Sequence, residues 1–195
     1  MIDERFSKQL QFILELDKEK NIYRQTSLTN HGRKENDAEH AWHMAIMIYL
    51  LKEYANDDFD VKKAMLMALI HDVVEIDAGD AYAYDQAALD AQEEKEKAAA
   101  KRLFGMLPKD QQKELADIFE EFEKGESAEA RFVRTIDNLQ PLVLNNSNGG
   151  TDWMEHGVSK AQVYKRQQRN EKGSQFLWEY TKELIEENAK KGSLK

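Results

Sequence analysis

Apolar positions recur along most of the chain at three- and four-residue steps, the period of a helix with one buried side. Phe6, Leu10, Ile13 and Leu14 follow it and predict an amphipathic helix over 3–19. Residues 21–36 show little periodicity and read as a long ordered loop, a length at which loops often carry function. Asp37 is placed to cap a helix over 38–54, and Asp60 to cap another over about 61–75, whose run AMLMALI predicts burial on most sides. Gly79 marks a break within 76–84. The alanine- and charge-rich stretch 86–107 reads as a solvated helix, and Pro108 opens the next, which stops near Gly125. Ser127 caps a helix running into Pro141, where a kink or end is expected. The stretch NNSNGGT over 145–151 is the clearest loop. Two further helices follow Ser159 and Gly173, and the last residues, AKKGSLK, read as frayed.

Composition supports an all-α reading. Only 9 Gly and 2 Pro punctuate 195 residues, too few for a turn-rich β protein. The length fits one domain, with a core at about 20–145 and C-terminal helices over 159–190 packed on it. No cysteine is present, which excludes disulfides, thiolate metal sites and cysteine nucleophiles. The longest apolar run, 44–51, is 8 residues and cannot span a bilayer. MIDERFSKQL lacks the apolar stretch of a signal peptide, so the expected location is the cytoplasm. With 37 acidic against 28 basic residues and a net charge of −9, long nucleic acid and membrane surfaces are poor partners. A small anion can still be held where a metal or a few arginines reverse the field.

The candidate chemistry lies where polar groups interrupt apolar helices. Among His31, His40, His43, His71 and His156, Glu39-His40 opens one apolar helix and His71-Asp72 closes another. Imidazole and carboxylate there suit a divalent ion, and a helix end is the bland alternative for His71-Asp72. Asp137 sits among Ile136, Leu139, Leu142 and Val143; a buried carboxylate needs a partner, either a metal or an ion pair with Arg134. His43 reads as packing or as a support behind the ligands, Glu39 as a hydrogen-bond partner of His40, and His31 and His156 as solvated. The methionines are spaced as core filler.

The order H…HD…D formed by His40, His71-Asp72 and Asp137 resembles the HD-domain metal-dependent phosphohydrolase superfamily. The segment RKENDAEH over 33–40 is similar to the R-x-E-N-x-x-E-H block of its 5′-deoxynucleotidase branch. HDVVEIDAGD over 71–80 is similar to H-D-x-x-E-x-x-x-G-D, and DNLQP over 137–141 to the closing helix. The branch carries an Arg-Trp pair upstream, where this chain has Tyr23-Arg24-Gln25.

The resemblance implies an all-α HD helical bundle and one divalent ion (Mn, Co, Zn, Fe or Mg) on His40, His71, Asp72 and Asp137. It also implies phosphatase activity on (deoxy)nucleoside 5′-monophosphates, and a homodimer. Glu75, one helical turn beyond His71, is placed to orient or deprotonate a water, with Asp80 to assist it. Arg33 and Arg24 are the expected phosphate binders, since guanidinium forks match phosphate oxygens. The rival readings are a nucleotide- or metal-binding regulatory protein with little turnover, and an HD phosphodiesterase or pyrophosphohydrolase. Retention of Glu75 and of every ligand position favours the enzyme.

Overall fold

A computed structural model describes residues 3–29, 32–81, 84 and 86–195; within 86–93 it describes the helix, and only Gln92 as a side chain. His31 lies outside the described residues. The chain runs α1 (Glu4–Leu16), a 3-10 segment (Asp17–Asn21), β1 (Tyr23–Ser27), β2 (Lys34–Asn36), α2 (Asp37–Leu51), α3 (Val61–Ile70), α4 (Glu75–Ala78), α5 (Gln86–Phe104), α6 (Lys109–Lys124), α7 (Ala128–Ser147), α8 (Thr151–His156), α9 (Lys160–Gln167), a second 3-10 segment (Gln168–Lys172) and α10 (Gln175–Lys191). The core is helical: α2, α3 and α7 pack on one another, α6 closes on α3 and α7, and α9 and α10 lie against α7. Met44, Ile48, Met67, Phe104, Phe132, Ile136 and Leu139 fill the space between them and are essentially inaccessible.

Five departures from the sequence pattern bear on the site. The expected loop over 21–36 contains an antiparallel two-stranded sheet, pairing Tyr23 with Asn36 and Ser27 with Lys34. Its alternation escapes an apolar-periodicity reading because the inward positions of β1, Arg24 and Thr26, are polar. The cap of α2 is Asn36, not Asp37. Asn36 accepts from Glu39 N–H at 2.9 Å while the Glu39 carboxylate accepts from Asn36 N–H, a capping box.

The third departure is at 71. The helix expected to run to 75 stops at Ile70, and residues 71–74 form tight turns with Val73 N–H donating to Ile70 O and Glu75 N–H to Asp72 O. His71 Nδ1 bonds the Ala68 carbonyl at 2.8 Å, and α4 then starts at Glu75. Glu75 therefore stands on a separate short helix rather than one turn along the same one. Fourth, α7 continues through Pro141 to Ser147, because contacts with α2, α3 and α6 outweigh the hydrogen bond lost there. Fifth, the apolar face of α1 is not covered. Phe6, Leu10, Ile13 and Leu14 are all exposed, and α1 instead buries Phe12 against Phe104 and ties Arg5 to Asp110 at 2.7 Å.

Candidate metal centre

Helices α2 and α7 and the turn that follows α3 bring His40, His71-Asp72 and Asp137 together. His40 Nε2 lies 3.2 Å from Asp137 Oδ1 and 4.0 Å from Asp72 Oδ2, and His71 Nε2 lies 3.0 Å from Asp72 Oδ1 and 3.9 Å from Asp137 Oδ1. The two rings are 5.5 Å apart. Each imidazole is fixed through its other nitrogen. His40 Nδ1–H donates to Gln140 Oε1 at 3.0 Å, and His71 Nδ1–H donates to Ala68 O. When the rings are neutral, as a metal ligand requires, these bonds select the tautomer that turns an unprotonated Nε2 toward the carboxylates.

Gln140 is fully buried on α7 and holds more than His40. Its amide donates to Glu35 Oε1 at 2.6 Å and reaches His43 Nδ1 at 3.1 Å. His43 is thereby occupied away from the cluster and supports it only through Gln140, which holds His40. Glu39, expected beside His40, instead caps α2 and pairs with Arg33; Gln140 does the orienting. Asp137 does not pair with Arg134, whose guanidinium donates to the Phe122 and Glu123 carbonyls at the end of α6.

Donor groups fit a cation. Both oxygens of Asp37 and Glu75 Oε2 are buried without a hydrogen-bond partner, and His71 Nε2 faces the Asp72 and Asp137 carboxylates. Orphaned acceptors on this scale are rare in a folded interior unless an ion or water serves them. Ligand atoms of His40, His71 and Asp72 all lie within 4.8 Å of one another, and so do those of Asp37, Asp72 and Glu75. His40, His71, Asp72 and Asp37 could hold a metal, with Asp137 Oδ1 at the distances above. Asp37, read from sequence as a cap, is the ligand-type residue that pattern reasoning missed.

Electrostatics follow from this crowding. Burial, with Asp72 and Asp37 nearby, pushes the Glu75 carboxyl up to about 12, and burial with Asp72 pushes Asp37 up to about 7 and Glu19 up to about 8. Burial raises Asp80 as well. For Asp72, burial is outweighed by His71 and Arg24, and for Asp137 by the His40 hydrogen bond and His71, so both are held low. His71 moves up to about 9, since Asp72 outweighs its burial.

A cavity of about 310 Å³ opens beside the cluster, lined among others by Arg24, Asp72, Glu75, Asp80 and Asp137. Arg24 on β1 donates to Asp72 Oδ2 at 2.7 Å and lies 3.6 Å from Asp37. Arg33 does not join it: its half-exposed guanidinium forks onto Glu39, with 2.7 Å to Oε2. His156 is exposed at the end of α8. The stretch NNSNGGTDW clamps the hairpin. Asn148 donates to the Ser27 and Leu28 carbonyls at 3.0 Å, and Asp152 accepts from Ser27 N–H and Lys34 at 2.8 Å. Gly150 has positive φ, and a Cβ there would meet the Ser193 side chain at 2.4 Å, so a larger residue would displace the C-terminal segment packed on it.

A family model for the HD domain matches residues 16–178. The chain belongs to the HD-domain family. A crystal structure of a protein named a predicted metal-dependent phosphohydrolase, from Magnetospirillum magnetotacticum MS-1, superposes with a TM-score of 0.94 at 46% identity, covering 100% of this chain and 99% of that one. The 5′-deoxynucleotidase HDDC2 of Bos taurus is 34% identical over 115 residues, 58% of this chain and 54% of the relative; the Homo sapiens protein is 32% identical over 114. The chain thus spans about half the length of the curated relatives it matches. Among the described residues, no helix of this HD protein is long and apolar enough to cross a membrane.

Proposed function

We propose that the chain is a metal-dependent phosphohydrolase acting on nucleoside 5′-monophosphates, with His40, His71, Asp72 and Asp137 holding one divalent ion. The observation that carries this is the pair of histidines whose Nδ1 atoms are both committed, leaving two Nε2 atoms and two carboxylates converging beside a cavity of about 310 Å³. The likeness to a metal-dependent phosphohydrolase and to 5′-deoxynucleotidases supports the same reading. When bound, a divalent ion supplies Lewis acidity toward a phosphate oxygen and acidifies water.

The protein's own groups do the rest. Arg24 holds Asp72 in place and offsets part of the acidic crowd. Glu75, pushed up to about 12 without added positive charge, becomes a usable base for a water once a cation enters the cluster. Asp80 on the same wall can take up the proton or hold a sugar hydroxyl. Phe119, Phe122, Trp153 and Leu142 give the cavity the apolar surface that a base and sugar need.

We read the chain as a homodimer in the cytoplasm. The outer face of α2 exposes Trp42, Ile46, Tyr49 and Leu50, one stripe at helical spacing that a second copy would cover.

The test is turnover on nucleoside monophosphates after chelation, with Mn, Co, Mg and Zn restored one at a time. Activity restored by at least one metal is expected. Glu75→Gln should then lose about 10²–10⁴-fold in kcat with metal affinity retained. No turnover with any metal would return the protein to the regulatory reading.

A further inference from the structure

We propose that Arg166, on the last turn of α9, binds the phosphate of the substrate; this rests on the phosphohydrolase reading and names the cation that would serve it. Among the described residues, seven carboxylates line the cavity against three arginines, Arg24, Arg134 and Arg166. A phosphate dianion entering this field needs a cation with donors to spare. Arg24 is shared among Asp72 at 2.7 Å, Asp37 at 3.6 Å and Glu35 at 3.9 Å, and is mostly buried. Arg134 donates to two backbone carbonyls and lies over the Phe122 ring at 4.5 Å.

Arg166 differs from both. Its Nη2 approaches Asp137 Oδ2 at 3.7 Å, an ion-pair distance longer than a hydrogen bond, and its side chain is 39% exposed. It flanks the ligand cluster on the oxygen of Asp137 that does not face His40. A phosphate held beside Asp137 would come within reach of the guanidinium fork, whose donors match two phosphate oxygens.

The backbone beneath Arg166 is anchored as a binding residue requires. Gln167 Nε2 donates to the Asn138 carbonyl at 2.7 Å, Asn170 Nδ2 to Gln167 Oε1 at 2.7 Å, and Asn138 Nδ2 to Asn170 Oδ1 at 3.0 Å. All three amides are buried. They fasten the end of α9 to the residue that follows Asp137. Gly173 lets the chain approach α7 this closely, since a Cβ there would stand 2.3 Å from the Arg131 carbonyl oxygen.

The experiment compares the parent with Arg166→Ala and Arg166→Lys, each metal-loaded. Inorganic phosphate is titrated by calorimetry into the Mg-loaded proteins, and KM and kcat are measured on a nucleoside monophosphate. Metal content and Tm are recorded alongside. Arg166→Ala should weaken phosphate binding and raise KM by about 10- to 100-fold, the range a charge-assisted hydrogen bond provides, with metal content and Tm unchanged and Lys restoring part of the loss. Unchanged phosphate affinity and KM in Arg166→Ala, or no phosphate binding by the parent, would overturn the proposal. If the parent binds phosphate through Arg166 yet turns over no monophosphate, the proposal stands and the substrate reading falls.

Discussion

The cavity has two walls of different origin. One is built by the turn after α3 and by α7, packed on α2; it carries His71, Asp72 and Asp137, with His40 of α2 buried against them. The other is built by the hairpin, α8 and α9; it carries Arg24, Asp152 and Arg166 and is held by amide and carboxylate clamps, Asn148 and Asp152 on the hairpin and Asn138-Asn170-Gln167 on α9. The first wall gains its precision from apolar packing, the second from polar bonds between segments distant in sequence. In the proposed function, ion binding thus falls to the packed wall and the phosphate contact of Arg166 to the clamped one.

Breaking the rigid wall should have the largest effect. Asp137→Ala removes the carboxylate that both histidines face, at 3.2 and 3.9 Å. Replacing even an outer partner of a metal ligand costs 10- to 100-fold, so this substitution is expected to lower kcat/KM on the order of 10³-fold or more and to abolish stabilisation by added metal. Steady-state kinetics and metal-dependent melting check it.

A middle effect concerns pH. Glu19, from 4.5 to about 8, and His71, from 6.5 to about 9, both bind protons more tightly in the folded protein. Their contribution to stability is complete below the lower value of each pair and is gone above the upper one. Metal-free protein should therefore lose several °C in Tm as pH rises from 5.5 to 9, and added Mn should recover more of it at pH 9 than at pH 5.5, since the ion replaces bound protons. A chelated sample whose Tm is flat or rises across that window would contradict the sign.

The rigid wall was largely legible in the sequence because apolar helical periodicity framed each polar interruption: IDNLQ, the HD pair after AMLMALI, and EH at the start of α2. The clamped wall was not. β1 turns Arg24 and Thr26 inward, so no apolar alternation announces it. Arg166 lies on α9, a helix with few apolar residues, and its relation to Asp137 exists only through the fold. Arg33, which matches a motif position, spends its charge on Glu39, a partnership that spacing alone does not separate from phosphate binding. The exposed face of α1 shows the same limit: periodicity identified the helix but not what covers it.

The smallest effect should come from Arg33→Ala. Because Arg33 lies outside the cavity lining, KM is expected to change less than about twofold, and loss of the exposed pair with Glu39 to leave Tm nearly unchanged. A KM rise comparable to that of Arg166→Ala would move the phosphate to the hairpin side.

The proposed centre holds one ion through the Nε2 atoms of His40 and His71 and the carboxylates of Asp72 and Asp137. Anomalous diffraction from a Mn-loaded crystal tests it directly. A peak is expected within about 2.0–2.6 Å of all four side chains. A peak bound by Asp37, Asp72 and Glu75 alone, with Asp137 and the imidazoles free of it, would contradict it.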